Sequence, residues 1–267
     1  MTYLKSVVAV LKKASLVGAF FMAMQTGGHA ATTLCSDKSN QAKHTVESVV
    51  DGDTLRLKDG RSVRLIGINA PEMGGRGRVV EPYAVQSKRR LTALVGASMG
   101  KVALRFGEQS RDRYGRILAH VYDQRGASLE AQLLSEGLAY HVVVAPNSAL
   151  ADCFEQVENS ARDSRLGLWK HASYTTAAQV NKGGFTLLQG RIQSVQRNRG
   201  GVWLELGHSV TVNIPLNALR YFPEQDFERW EGQVIKTRGW ISERRGQDKK
   251  FAKWRMTVSH PSMFEHD

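Results

Sequence analysis

Residues 49–72 read VVDGDTLRLKDGRSVRLIGINAPE. Two turn signals divide this stretch, Asp51-Gly52 and Asp59-Gly60, and short apolar-rich runs flank the second. The pattern predicts two short strands around the Asp59-Gly60 turn. Strand alternation places Val63, Leu65 and Gly67 on one face and Arg64, Ile66 and Ile68 on the other. The acidic and amide residues sit at the ends, Asp51 and Asp53 before the hairpin, Asn69 and Glu72 after it. A hairpin returns its far end close to its start, so these residues can converge, with Arg64 near by. Two carboxylates, an amide oxygen and a guanidinium around one cavity suit a hard cation and a phosphodiester.

Working outward, residues 45–50 open the first strand, and residues 73–80 (MGGRGRVV) form an aperiodic loop beside the site. Pro82 suits the first turn of a helix whose apolar stripe is Ala84, Leu91, Leu94 and Val95, with Lys88, Arg89 and Arg90 on its wet side. Residues 101–106 alternate as a strand. RDRYGR at 111–116 adds a turn and a second candidate guanidinium, Arg116, and residues 116–122 form the next strand. Three strands, a helix and two strands is the order of a five-stranded OB-type barrel. Ser128 caps a short helix closed by Gly137, and a third helix over 152–166 carries Phe154, Val157 and Ala161 on one side. Trp169 then plugs the core. The fold class is mainly β with α, an α+β arrangement of one OB-type barrel and three helices.

Residues 49–72 together with Asp112-Arg113-Tyr114-Gly115-Arg116 resemble the staphylococcal nuclease (thermonuclease) family, over about residues 45–170. The resemblance implies that Asp53, the Asn69 side-chain oxygen and the Ala70 carbonyl ligate calcium, with Asp51 orienting a metal-bound water. It implies Glu72 as general base, Arg64 and Arg116 as the clamp on the scissile phosphate, and Arg113 and Tyr114 on a neighbouring phosphate. The implied activity is hydrolysis of DNA and RNA to 3′-phosphate ends with little base specificity. Two departures stand out. Asn69 replaces an aspartate ligand, which removes one negative charge and predicts weaker Ca²⁺ binding, with Mg²⁺ or Mn²⁺ as alternatives. The base-stacking tyrosines of the type member are unmatched in residues 140–145 (YHVVVA), leaving Tyr140 or the second unit as possible substitutes. His141 is expected to be packed or on the surface, without a metal role.

The formal charge of +12 and pI near 9.9 suit a polyanionic partner, nucleic acid first and an anionic membrane surface second. Lys5, Lys12 and Lys13, an apolar run over 14–24, and Gly28-His29-Ala30 predict a cleaved signal peptide over 1–30; an uncleaved anchor is the alternative. Loss of those three lysines lowers the charge from +12 to +9. Export to the periplasm or the extracellular space follows, with no stable membrane association after cleavage and a monomer as the default. Both cysteines, Cys35 and Cys153, would survive cleavage. In an oxidising compartment one disulfide between them is the simpler reading, though Cys153 could instead be a small buried hydrophobe.

The remaining domain limits are 31–171 for the nuclease-like unit, 172–184 for a linker, and 185–267 for a second, smaller OB-like barrel. That unit carries Trp203, Trp240, Trp254 and Phe251 among Arg197, Arg199, Arg244, Arg245, Lys249, Lys250 and Lys253. Such interleaving could bind single strands, or be a core with a solvated rim. A non-catalytic nucleic-acid-binding protein on a nuclease scaffold is the alternative to an enzyme.

Overall fold

Strands β1 (Lys43–Val49), β2 (Thr54–Leu57) and β3 (Ser62–Leu65) form an antiparallel meander, with Gly60 at φ 85° in the turn between the last two. The computed structural model describes residues 35–265 apart from 38, 40, 76, 78, 223–225 and 245–251. The expected leader over 1–30 therefore lies outside the described residues, as do Arg76, Arg78, Arg245, Lys249, Lys250 and Phe251. Among the described residues no helix is long and apolar enough to cross a membrane.

Leu55, Leu57, Val63 and Leu65 all point inward. The alternation expected over 63–68 holds only to Leu65. Gly67 then turns the chain at φ 85°, where a Cβ would lie 2.4 Å from the Phe154 ring, and Ile66 and Ile68 are both buried. The short strand β4 (Ile68–Asn69) leaves the barrel and pairs with β7 (Tyr140–His141). Helix α1 (Ala84–Ala97) buries its expected stripe but starts two residues after Pro82. Tyr83 takes a left-handed conformation (φ 68°), so the helical ladder cannot extend back through it.

β5 (Lys101–Arg111) pairs with β1 and with β6 (Ile117–Tyr122), and β6 runs parallel to β3, which closes a five-stranded barrel. The Ser128 side chain caps α2 (Leu129–Ser135) by accepting from the Ala131 N–H at 3.2 Å. Helix α3 (Ala151–Asp163) buries Phe154, Val157 and Ala161 and carries Cys153, which is bridged to Cys35. The 3-10 turn Gly167–Lys170 seats Trp169 in the interior.

The second barrel repeats this pairing order with β9 (Gly184–Asn198), β10 (Gly201–Leu206), β11 (Val210–Pro215), β12 (Val234–Glu243) and β13 (Trp254–Thr257). β11 and β13 are parallel, and β12 closes on β9. Two further strands extend it, β8 (Thr175–Thr176) beside β9 and β14 (Phe264–Glu265) beside β12. Residues 172–184 thus contribute a strand and a buried Ala177 to the second unit. The aromatics of that unit divide: Trp254 is core, whereas Trp240 is 41% exposed.

The two barrels interlock. Val142, Val143 and Ala151 belong to the apolar cluster of the second barrel, packing with Met263 and its neighbours. Arg238 of β12 pairs with Glu158 of α3 at 2.5 Å and with Glu265 at 3.0 Å, and Glu265 also pairs with Arg162. Arg238 is only 3% exposed, so its two carboxylates are the reason a charge is tolerated there.

Candidate active site

Asp53 sits where it does because Gly52 has no side chain. A Cβ on Gly52 would lie 2.6 Å from the Ala70 Cβ and 2.1 Å from the Ser87 Oγ, so only glycine lets the Asp51–Asp53 turn press against the segment after β4. The turn is held by the Asp53 N–H donating to Asp51 Oδ1 at 3.0 Å. Asp53 Oδ2 accepts from the Ala70 N–H at 2.8 Å and pairs with Arg64 Nη2 at 3.0 Å, while Thr54 Oγ1 donates to Oδ1 at 3.1 Å. Arg64 Nη1 in turn donates to the carbonyls of Leu65 and Ile68. The hairpin ends do meet, and Arg64 is fixed by three acceptors. Burial pushes the Asp53 carboxyl up to about 6; Arg64 opposes that, and the neighbouring Asp51 charge adds to it.

Arg64 shares a groove of about 240 Å³ with Arg116. Arg116 follows the turn between β5 and β6, and its Nε donates to Asp112 Oδ2 at 2.7 Å. Asp112 Oδ1 accepts from the backbone N–H groups of Tyr114 and Arg116, so one carboxylate shapes the turn and aims the guanidinium. Burial disfavours the Asp112 charge, but those bonds prevail and hold its carboxyl below the usual value. Tyr114 is exposed, with the guanidinium groups of Arg113 and Arg116 at 4.8 Å and 5.7 Å from its ring centre. Val142, Val144 and Trp240 also line this groove.

The remaining predicted residues lie close in sequence but face differently. Asn69 is buried and lines a neighbouring recess with Pro71, Glu81 and Tyr140. Glu72 is exposed, and its backbone is tied to Glu81: its N–H donates to Glu81 Oε2 at 2.9 Å, and its carbonyl accepts from the Glu81 N–H. The structure therefore joins Asp53, Arg64 and Ala70 by contact, joins Arg64 to Arg116 through the groove, and leaves the Glu72 carboxylate open to solvent.

Asp53, Asp51, Asn69 and the Ala70 carbonyl offer oxygen donors only, which fits a hard divalent ion. The buried Asp53, whose carboxyl rises despite Arg64, is a carboxylate that a nearby cation would relieve. Among the described residues no three His, Cys, Asp or Glu cluster as a metal cage, so an ion here would keep water or substrate oxygens.

Sequence reasoning missed Asp112, although its i, i+4 spacing from Arg116 is a readable signal. It named Trp240 only among aromatics that could stack bases or fill a core, without tying it to this groove. Nothing local to residue 240 links it to a turn more than a hundred residues earlier.

The model of the family described as staphylococcal nuclease homologue matches residues 62–171. Endonuclease YncB of Bacillus subtilis (strain 168) is 33% identical over 162 residues, covering 59% of this chain and 75% of that protein. The thermonuclease of Staphylococcus hyicus is 33% identical over 140 residues, 50% of this chain and 79% of its own length. SPbeta prophage-derived endonuclease YokF, also of Bacillus subtilis (strain 168), is 36% identical over 142 residues, 51% of this chain and 47% of that protein.

Proposed function

Since this chain belongs to the family of staphylococcal nuclease homologues, we propose that it is an exported, metal-dependent nuclease hydrolysing DNA and RNA, with little base preference and 3′-phosphate products. The observation that carries this reading is the line of contacts from buried Asp53 through Arg64 into the groove that Arg116 shares. The donors for the ion are Asp53, Asn69 and the Ala70 carbonyl, with Asp51 behind them. Ca²⁺ is the first expectation, and Mg²⁺ or Mn²⁺ the alternatives. A divalent ion bound there supplies a Lewis acid for the diester oxygens.

The chain's own groups account for the rest. The exposed Glu72 takes a proton from the attacking water, whose oxygen adds to phosphorus. As that oxygen adds, charge grows on the non-bridging oxygens; the bond to the 5′ oxygen then breaks, and the 5′ oxygen leaves with a proton taken from solvent. The planar forks of Arg64 and Arg116 meet that charge more strongly than they meet the ground state. Holding Arg64 on Asp53 and Arg116 on Asp112 in advance removes reorganisation from the reaction step.

Export is supported by the basic, then apolar, start of the chain and by the Cys35–Cys153 disulfide, which suits an oxidising compartment. The test is hydrolysis of labelled single-stranded DNA and RNA with Ca²⁺, Mg²⁺, Mn²⁺ or chelator, for wild type, Glu72→Gln and Arg116→Ala. Chelator-sensitive turnover that falls at least ~100-fold in both variants is expected. Wild-type rates in both variants overturn the site. Salt-sensitive binding without turnover in the wild type supports the binding-protein reading instead.

A further inference from the structure

Trp240 belongs to the second barrel, yet it lines the groove between the two guanidinium groups of the first. We infer that the second barrel builds one wall of the substrate groove, and that Trp240 stacks on an unpaired base of a single-stranded nucleic acid whose phosphate lies on Arg64 and Arg116. This deepens the nuclease reading above and rests on nucleic acid being the ligand of that groove.

Three observations carry it. First, Trp240 is 41% exposed, whereas Trp169 and Trp254 are 6% and 5% exposed, so its ring is not consumed by a core. Second, its pose is fixed from behind. It is the register partner of Phe185 across β12 and β9, and the two rings meet edge to face at 5.3 Å. Phe185 packs on Tyr140 at 5.2 Å, and Tyr140 meets Trp169 at 5.3 Å, so a chain of rings roots Trp240 in the small apolar cluster that Trp169 forms with Ala161 and Leu187. A pre-positioned aromatic loses little entropy when a ligand docks. Third, one groove brings both chemistries together: Arg64 and Arg116 line it with Trp240, Val142 and the exposed Val144. A nucleotide offers a phosphate for the guanidinium groups and a base for the ring. A base inside a duplex has both faces covered by its neighbours, so this wall favours a single strand.

The interlock between barrels makes the arrangement structural. Arg238 lies two residues before Trp240 on the same strand and is clamped to Glu158 of the nuclease unit. The wall is therefore held at a set distance from the arginines.

The test uses the full chain with fluorescein-labelled single-stranded and duplex DNA, binding being read in chelator and initial rates in the preferred metal. Base–aromatic stacking predicts that Trp240→Ala weakens single-strand affinity roughly 5- to 100-fold. It should raise KM in parallel and barely change kcat or duplex affinity, while Trp240→Phe restores most of the binding. Thermal melts of each variant verify the fold, and a Trp240→Leu variant separates loss of stacking from loss of packing on Phe185. Single-strand binding and KM unchanged in well-folded Trp240→Ala overturn the inference, and so does a wild-type chain that binds no single strand. Loss of turnover in Glu72→Gln with Trp240 indifferent leaves the nuclease reading standing and this one fallen. Trp240-dependent binding by a wild type without turnover does the reverse.

Discussion

Asp112 and Arg116 form a closed unit within one turn: the carboxylate accepts the Arg116 backbone N–H with one oxygen and its side-chain Nε with the other. Both residues line the groove, and the carboxylate of one sets the guanidinium of the other. Asp112→Asn keeps an oxygen for the backbone bonds but loses the charge that holds Nε. It should lower kcat/KM about tenfold or more with little change in melting temperature, since small misplacements of a charge-bearing group are costly to rate. Steady-state kinetics beside a thermal melt checks this, and an unchanged kcat/KM would remove Asp112 from the mechanism.

The Gly52 position makes a sharper demand. In Gly52→Ala the new methyl meets the Ser87 Oγ and the Ala70 Cβ, both well inside contact distance, so the Asp51–Asp53 turn must move away from Ala70. Activity should fall by about two orders of magnitude, from displacement of Asp53 and Arg64. Pairing it with Ser87→Gly, which opens space on one side, should recover part of the loss. Equal activity of wild type and Gly52→Ala would show that the turn has slack.

Arg238→Met should destabilise the chain by about 3–5 kcal/mol, because Glu158 is left buried with its main charge partner gone. Urea unfolding of Arg238→Met, and of Arg238→Met combined with Glu158→Leu, measures it. The double variant should be the more stable of the two. If the single variant is as stable as wild type, the pair does not hold the barrels together.

Reduction of Cys35–Cys153 opens a loop of 118 residues. Loop-closure entropy puts the loss at up to about 5 kcal/mol. Thiol titration of the untreated, unfolded chain should find no free thiols, and the midpoint of urea unfolding should drop on adding reductant. Two free thiols in the untreated chain would refute the bridge.

Three buried titratable groups predict the pH profile of stability. Burial lowers His120 from 6.5 to about 4 and His141 from 6.5 to about 3, and it raises Glu130 from 4.5 to about 8. For the histidines the unfolded chain binds more protons, so stability is lost as pH falls below about 6.5 towards 3–4. For Glu130 the folded chain binds the proton, so stability is full below about 4.5 and declines as pH rises through about 8. The expected result is a maximum near pH 6 with loss on both sides. Glu130→Gln, which keeps an oxygen for the Val121 N–H that Glu130 Oε1 now accepts at 2.8 Å, should flatten the alkaline limb. A profile from urea midpoints that still declines between pH 6 and 8 in Glu130→Gln would assign that limb to other groups.

Much of this architecture could be read from residues close together in sequence. Asp59-Gly60 between alternating runs gave the hairpin, Ser128 and Gly137 bracketed α2, and three strands, a helix and two strands gave the first barrel. These signals are local: turn chemistry, capping and periodicity. What escaped was non-local or conformational. Tyr83 enters α1 in a left-handed geometry that no residue type announces, so Pro82 looked like the first helical residue. The small, polar stretch 172–184 looked like a spacer, but Thr175 and Thr176 pair beside β9 because an open strand edge is available there. In the site, the approach of Asp53 and Arg64 to the segment after β4 was legible because a hairpin must bring its own ends together; Ala70 itself was implied by the family resemblance. Trp240 was not, because only the docking of two barrels places it over the groove.

The burial of Val142 and Val143 among residues of the other barrel has a practical consequence for anyone dissecting the chain. A cut near residue 172, which looks like a natural boundary, would leave these two valines and the unpaired Glu158 facing water. The shortened product would carry Arg64 and Arg116 yet expose a sticky apolar scar, and would be expected to aggregate before its activity could be judged.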